Sequence, residues 1–143
     1  MTDYITKDSG ERRTFDTGAI RDTVTGKGRF DLISPIVLMR LAGVLERGAL
    51  KYTPRNWEKG IPFSSFVDSA IRHLMQWTAV MKDEDHLAQC LWNIHSLIHT
   101  EARVLQKKLP RALADMGPMS LEVEHVDISS KESLREFLGR DMK

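Results

Sequence analysis

Residues 65–105 read SFVDSAIRHLMQWTAVMKDEDHLAQCLWNIHSLIHTEARVL, and this stretch decides the fold. Apolar residues recur at helical spacing on both sides of the acidic turn Asp83-Glu84-Asp85, which predicts two helices joined by that turn. The first helix is predicted to start near Ser65, and the second to run to about Leu105. The residues expected to face the core are Val67, Ala70, Ile71, Leu74, Thr78 and Met81 in the first helix and Leu87, Leu91, Ile94, Leu97 and Ile98 in the second.

A third helix is predicted before this pair. Ser34 followed by Pro35 is a typical helix start, because serine caps the first turn and proline fits the first helical position. Helical apolar spacing predicts that this helix runs to about Leu50, before the break at Thr53-Pro54. The first thirty residues show no sustained helical or strand period. The sequence therefore predicts an all-α fold.

The segment after Lys108 differs in character from the helices. Alternating apolar and charged residues over 121–128 predict an exposed strand, and Ser129-x-x-Glu132 has the form of a capping box before a short helix. We expect a domain of residues 1–108 and a C-terminal tail of residues 109–143. The tail is too small to fold alone, so it is expected to pack on the helical body or on another subunit.

The composition excludes several classes of protein. The 143 residues suit one domain, and 21 basic against 20 acidic residues leave a net charge of +1, which argues against stable nucleic-acid binding. The single cysteine, Cys90, cannot form an intrachain disulfide. The polar start, Met1 to Arg13, has no signal-peptide core, and no apolar run is long enough to span a membrane. We therefore expect a cytoplasmic protein.

Glu46 is the first candidate metal ligand. Its helix stripe consists of small and apolar residues, namely Met39, Ala42, Gly43, Ala49 and Leu50. A carboxylate on such a stripe costs free energy unless a divalent cation or another partner compensates it, and Gly43 leaves open space one turn away. The alternatives are an exposed helix end or a salt bridge. A basic stripe of Arg40, Arg47 and Lys51, about 120° around the helix, faces either an anion or solvent.

The acidic turn is the second candidate site. It leads directly into His86, with Asn93 two turns further along the same side of the helix. Capping explains at least one of its three carboxylates, because the helix dipole favours negative charge at the N-terminus. The functional interpretation is a metal or substrate role for Glu84, Asp85 or His86.

Other polar residues have structural interpretations. Asp68 has the spacing of a capping-box residue and of a helix ion pair, and His73 that of a hydrogen-bonded core histidine. The stretch Gly26-Lys27-Gly28 is not a P-loop, because no serine or threonine follows the lysine and no strand is predicted before it. His95 and His99 are one turn apart, but no third zinc ligand is evident, so they are expected on a solvated face.

Seven short blocks, taken in order, resemble one known family. They are Gly18-Ala19-x-Arg21, Gly26-Lys27-Gly28-Arg29-x-Asp31-Leu32, Arg40-Leu41-Ala42, Glu46-x-Gly48-Ala49-x-Lys51-Tyr52, Arg55-Asn56-Trp57-x-x-Gly60, Ser69-Ala70-x-Arg72-His73-Leu74 and Asp85-His86-Leu87-Ala88-x-x-x-Trp92-Asn93. Each block is weak alone, but seven in register are specific. From about Gly18 to Ala102 the chain resembles the phage dATP/dGTP diphosphohydrolases, the MazZ-type members of the MazG-like all-α nucleotide pyrophosphatases.

The resemblance implies a MazG-like helical bundle that assembles as a homo-oligomer, a dimer or a tetramer. It implies Mg²⁺ or Mn²⁺ held by helix carboxylates and metal-dependent hydrolysis of dGTP and dATP to dNMP and pyrophosphate. The implied location is the cytoplasm, that of the host if a phage encodes the protein. In phages that replace adenine with 2-aminoadenine, such enzymes act on dGTP to supply that pathway.

The chain departs from the MazG-like pattern, because the usual Glu-x-x-Glu and Glu-x-x-Asp motifs are missing from the helical body. The expected metal ligands are Glu46, Asp68, Glu84 and Asp85. Of these, Glu46, Glu84 and Asp85 are expected to be catalytic. The expected substrate-binding residues are Lys27, Arg29 and Lys51 for the phosphates, Asn56 and Trp57 for the purine, and His86 and Asn93.

Two other functions remain open from the sequence. An HD-type triphosphohydrolase needs an adjacent His-Asp pair, whereas this chain has Asp85-His86, the reverse order. The non-enzymatic alternative is a small helical phage regulator that binds a protein partner. The near-neutral charge argues against DNA as the partner, but not against a protein.

Overall fold

The computed structural model describes residues 8–116, which divide into two compact units. The hairpin unit ends at Ile33 and the helical unit begins at Ser34. The predicted all-α class is confirmed, since the described residues form three α-helices and a single two-stranded sheet. The strand predicted over 121–128 and the helix predicted after Ser129 lie outside the described residues.

The hairpin unit contains two antiparallel strands, β1 (Arg12–Thr14) and β2 (Ile20–Asp22). The Phe15 amide donates to the Ala19 carbonyl at 2.9 Å, and Gly18 takes a φ of 82° that favours glycine in the connecting turn. The sequence analysis missed this hairpin. Its strands are three residues long and almost wholly exposed, so neither strand has the apolar alternation that marks a strand with one buried face.

The helical unit contains α1 (Pro35–Tyr52), α2 (Phe63–Thr78) and α3 (His86–Leu105). All three helices were predicted, with α1 ending and α2 starting two residues away from the predicted positions. Short 3-10 helices lie before α1, between α1 and α2, and after α3, at Phe30–Leu32, Asn56–Lys59 and Arg111–Leu113. Across residues 8–116, no helix is both long and apolar enough to span a bilayer.

Helices α2 and α3 form an antiparallel pair, and α3 also packs against α1. Near the start of α2, Phe66 meets Trp92 edge to face, with ring centroids 6.2 Å apart. Near its end, His73 meets His86, the first residue of α3. The buried apolar residues are Val44, Phe63, Phe66, Ala70, Ala88 and Val104. The α2–α3 pairing therefore fixes which residues come together at the acidic turn.

The buried face of α3 is more polar than predicted. It consists of His86, Ala88, Asn93, Ser96, Thr100 and Val104. Thr100 donates to the Ser96 carbonyl at 2.8 Å and Asn93 to the Gln89 carbonyl at 2.9 Å, so the helix satisfies its own buried groups.

Several apolar residues that were predicted to face the core are exposed instead. They include Ile71 and Leu74 on α2 and Ile94 and Ile98 on α3. Apolar periodicity identifies the more hydrophobic side of a helix, whereas α3 turns its small and polar side to its neighbours. The expectation that these four side chains face the core is wrong for the single chain.

Residues 109–116 pack on the start of α2. The Asp115 carboxylate accepts hydrogen bonds from the Ser64 backbone amide at 2.9 Å and the Ser64 hydroxyl at 2.5 Å, which caps the first turn of the helix. A Cβ atom added at Gly60 would lie 2.8 Å from the Leu113 side chain and 3.3 Å from that of Leu109. The helical body therefore continues beyond its last long helix.

Candidate functional site

The acidic turn and the ends of α2 and α3 bring two buried histidines together. Their Nδ1 atoms are 3.2 Å apart, and His86 is only 2% exposed. The Nε2 atom of His86 lies 3.0 Å from an oxygen of Asp83, and the Nδ1 atom of His73 lies 3.8 Å from an oxygen of Glu84. We call His73, Glu84 and His86 the His–Glu cluster.

The Asp83 carboxylate sets the tautomer of His86. A carboxylate can only accept here, so the Nε2 atom of His86 carries the proton and its Nδ1 atom presents a lone pair to His73. Burial lowers the pKa of His73, which favours its neutral form. Within residues 8–116, the His–Glu cluster is the one group of three potential metal ligands with converging donor atoms, all within 4.8 Å of one another.

Asp85 is held by two structural interactions. Both of its oxygens bind the Arg40 guanidinium, with Nε to Oδ2 at 2.9 Å, and one oxygen also accepts from the Ala88 amide at 3.2 Å to cap α3. Arg40 is the main reason that the pKa of Asp85 is lowered, with a smaller effect from Arg47. The carboxylate thus ties α1 to the start of α3.

The basic stripe of α1 faces the acidic turn. Arg40 pairs with Asp85. The pKa of Lys51 is raised, first by the neighbouring Tyr52 side chain and, less, by the charge of Glu84. The sequence analysis left open whether this stripe faces an anion or solvent. The structure places carboxylates of the protein's own acidic turn beside the basic stripe, as in the Arg40–Asp85 pair.

Glu46 and Asp68 lie apart from this cluster. Both are exposed, and among the described residues Glu46 makes neither a hydrogen bond nor an ion pair. Asp68 lies 3.9 Å from the Arg72 Nε atom, the helix ion pair expected from the spacing. The space beside Gly43 borders on the Arg47 guanidinium, 3.5 Å from where a Cβ would lie. The four proposed ligands do not form one group here, and their role stays a prediction.

Trp57 lies in the 3-10 helix between α1 and α2 and packs on α3. Its ring meets His95 and His99 edge to face, with centroid distances of 5.2 and 4.9 Å. The expectation that these histidines lie on a solvated face is wrong, because both are half-buried and burial lowers the pKa of His95. Asn56 is half-buried. The same loop contains Thr53, three residues earlier, whose φ of 81° is rare for a β-branched residue.

The remaining predicted substrate-binding residues are already paired. Asn93 is 3% exposed and bonds to its own helix. In the hairpin unit the Lys27 ammonium lies 2.6 Å from Asp22 and lowers the pKa of that carboxyl to about 2. The Arg29 guanidinium makes two bonds to the Asp31 carboxylate, at 2.7 and 2.6 Å. A phosphate would have to replace these carboxylates.

Sequence reasoning missed His73 and Asp83 as partners of His86, and Arg40 as the partner of Asp85. A local signal existed only for Asp83, three residues before His86, because a symmetric helix pair with its turn at 79–85 would place position 73 opposite about position 91 and not opposite 86. His73 was treated as a lone core residue, which overlooked its contact with His86. The Arg40–Asp85 contact spans 45 residues and has no local signal.

The helices and the acidic turn lie within the match to a known protein family. The family model described as dATP/dGTP diphosphohydrolase, N-terminal, matches residues 17–109. The chain belongs to this family. The resemblance inferred from seven sequence blocks is thereby confirmed, and the helical architecture agrees with the MazG-like all-α class.

The diphosphohydrolase family match covers the second hairpin strand, β2, and most of the helical unit, whereas β1 lies before its first residue. Its description indicates a hydrolase and refers to the N-terminal part of such enzymes. Searches of curated proteins and of solved structures returned no match.

Proposed function

We propose that this chain is a metal-dependent nucleotide pyrophosphohydrolase that converts dGTP and dATP to dNMP and pyrophosphate. The observation that carries the proposal is the diphosphohydrolase family match over residues 17–109, which contains the acidic turn and the basic stripe. In a phage that uses 2-aminoadenine, the dGMP produced would feed synthesis of that nucleotide.

The donor atoms near the acidic turn fit a divalent ion in part. Glu84 suits the role, because its carboxylate is half-exposed and lies next to two imidazoles. Asp85 suits it less well, since both of its oxygens bind Arg40. Glu46 and Asp68 lie on exposed faces, so they would act as ligands in a site completed by a second subunit or by the substrate phosphates. A bound ion supplies an activated water and screens phosphate charge.

The side chains that would bind the polyphosphate are cationic. Lys51 lies at the end of α1, within range of the Glu84 charge, and its ammonium would bind a phosphate oxygen. Lys27 and Arg29 would exchange Asp22 and Asp31 for phosphate oxygens. Asn56 would read the purine edge, and Trp57 would stack on the base with a face that does not contact α3.

Identification of products tests the proposal. The full chain is incubated with each of the four dNTPs and Mn²⁺, and the products are separated by chromatography. We expect dGMP and dAMP with pyrophosphate, and much slower reaction of dCTP and dTTP. Release of deoxynucleoside and triphosphate would favour the HD-type reaction. No turnover of either purine nucleotide would refute the proposal and leave the regulator hypothesis.

Glu46→Gln tests the one proposed ligand that makes neither a hydrogen bond nor an ion pair among the described residues. Glu46 is exposed, so removing its charge should change the free energy of unfolding by less than about 0.5 kcal/mol. We expect turnover to be abolished in this folded variant. Glu101→Gln on α3 is the matched control and should keep wild-type turnover. Near-normal activity of Glu46→Gln would remove Glu46 from the site.

A further inference from the structure

The strongest unassigned feature of the molecule is the pair of facing imidazoles at the acidic turn. His73 is 9% exposed and His86 is 2% exposed, and their Nδ1 atoms lie 3.2 Å apart. Facing ring nitrogens repel each other through their lone pairs unless a proton or a cation lies between them. The side chains therefore require either a donated hydrogen bond or a shared ion.

Asp83 leaves the His86 lone pair open to either partner, and it also gives His86 the arrangement of a metal ligand. Metal-binding histidines usually donate their second ring N–H to a carboxylate, which fixes the tautomer and directs the free lone pair at the metal. His86 has this arrangement, with Nε2 at 3.0 Å from Asp83 and Nδ1 directed at His73. The Nδ1 lone pair of His86 is thus available to an ion without any rearrangement of the buried ring.

The spacing of the donor atoms also suits an ion. With metal–nitrogen bonds of about 2.1 Å, two cis ligands lie about 3.0 Å apart around an octahedral ion and about 3.4 Å apart around a tetrahedral one. The observed 3.2 Å falls between these values. Glu84 supplies an oxygen 3.8 Å from the His73 Nδ1 atom, and its half-exposed side chain is free to move closer.

We propose that His73, His86 and Glu84 bind one transition-metal ion, with Asp83 orienting His86. Two imidazoles and one carboxylate favour Mn²⁺, Co²⁺ or Zn²⁺ over Mg²⁺, because Mg²⁺ prefers an all-oxygen shell. Neither the sequence analysis nor the family description assigns His73 to a metal. The inference rests on the donor geometry and not on the proposed hydrolysis.

Titration of the full chain with Co²⁺, without nucleotide, tests the site. We expect a visible absorption band that saturates at one ion per chain and a higher thermal midpoint, because the ion binds the folded state. An excess of Mg²⁺ of about a hundredfold should leave the band unchanged, as expected for nitrogen ligands. Displacement of Co²⁺ by that excess, or no saturable binding, would overturn the proposal.

Substitutions assign the ligands. His73→Gln and His86→Gln should abolish the band, and Asp83→Asn should weaken Co²⁺ binding by about 10- to 100-fold, the range for partners that orient a ligand. His99→Gln and Glu101→Gln are controls on α3 and should bind like the wild type. Unchanged Co²⁺ binding in folded His73→Gln or His86→Gln protein would refute the assignment.

A measurement on the unmodified protein covers the case in which the buried histidine variants do not fold. X-ray absorption at the cobalt edge should show scattering from two imidazole rings, whereas a shell of oxygen atoms alone would overturn the proposal. The two proposals can also fail separately. Co²⁺ in the cluster without dNTP turnover refutes only the hydrolase, and turnover with Mg²⁺ alone and no Co²⁺ binding refutes only the cluster.

Discussion

Asp85 shows how one side chain at the acidic turn can hold two helices. Its carboxylate caps α3 through the Ala88 amide and binds the guanidinium of Arg40 on α1. Because it is already shared in this way, the neighbouring Glu84 is the turn residue best placed to bind an external ion. Adjacent carboxylates thus have different roles, which are determined by what lies opposite each of them.

Arg40→Met should lower the free energy of unfolding by about 0.5–1 kcal/mol, the discounted range for a partly exposed pair of good geometry. The cap to Ala88 remains in this variant, so α3 is still expected to start at His86. Urea denaturation of both proteins measures the difference. Arg72→Met is the matched control, because the 3.9 Å Arg72–Asp68 pair is more exposed and should contribute only a few tenths of a kcal/mol.

The free energy of unfolding lost in Arg40→Met should also depend on pH. The folded protein lowers the pKa of Asp85, so the pair's contribution is complete above the ordinary carboxyl pKa of about 3.9 and is lost as pH falls through the lower folded value. The difference between wild type and Arg40→Met should be full near about pH 6 and should shrink below about pH 4. A difference that persists in stronger acid would show that packing, and not charge, stabilises the contact.

At the scale of elements, the loop from α1 to α2 depends on a glycine that no other residue can replace without strain. Gly60 has a φ of 106°, and a Cβ there would clash with Leu113 at 2.8 Å. Gly48 in α1 differs, because a Cβ there meets nothing within 4 Å. The two glycines therefore form a matched pair for testing the packing of residues 109–116.

Gly60→Ala should lower the free energy of unfolding by about 1–3 kcal/mol, from backbone strain and the clash with Leu113. Gly48→Ala should raise it by about 0.5–1 kcal/mol, because alanine is the better helix former and the space is open. Thermal denaturation by circular dichroism measures both. Equal effects of the same sign in the two variants would contradict this account of the loop.

The elements differ in how far the sequence predicts them. The three helices follow from apolar periodicity and from start signals such as Ser34-Pro35, which are local. Ser34 takes the N-cap position of α1, although its side chain makes no capping hydrogen bond. The buried side of α3 does not follow from these, because its small and polar residues are satisfied by their own backbone. The cap of α2 by Asp115 joins residues 51 positions apart, so no local pattern could reveal it.

The candidate site likewise contains residues that the sequence identifies and contacts that it does not. Glu84 and His86 were identified from the acidic turn, whose composition exceeds what capping needs. The contacts of His73 and Arg40 depend on how α1 and α2 pack against α3, which periodicity leaves undetermined, whereas Asp83 is only three residues from His86. Individual residues were therefore found from the sequence, but their contacts were not.

On the scale of the whole molecule, apolar side chains remain exposed on each of the three helices. Examples are Met39 at 74%, Trp77 at 51% and Ile98 at 60%. On α3 the exposed Ile94 and Ile98 are one turn apart and share a face, and a shared exposed apolar face is typical of an interface. The family resemblance implies an oligomer, and these faces are the surfaces that one would bury.

We therefore expect light scattering at micromolar concentration to give at least twice the chain mass of 16.3 kDa. Lysines at Ile94 and Ile98, both exposed and one turn apart on α3, should shift the mass toward that of the monomer. Ile20→Lys is the control, since Ile20 is exposed in the hairpin unit. A wild-type monomer would contradict the assembly.

The contacts of residues 109–116 also determine where the chain can be divided. A chain shortened at Lys108 would retain all three long helices but would remove the Asp115 cap of α2 and the two leucines beside Gly60. The boundary suggested by composition therefore cuts through a packed region. Any truncation that separates the helical body from the C-terminal tail should keep the residues up to Met116 with the body.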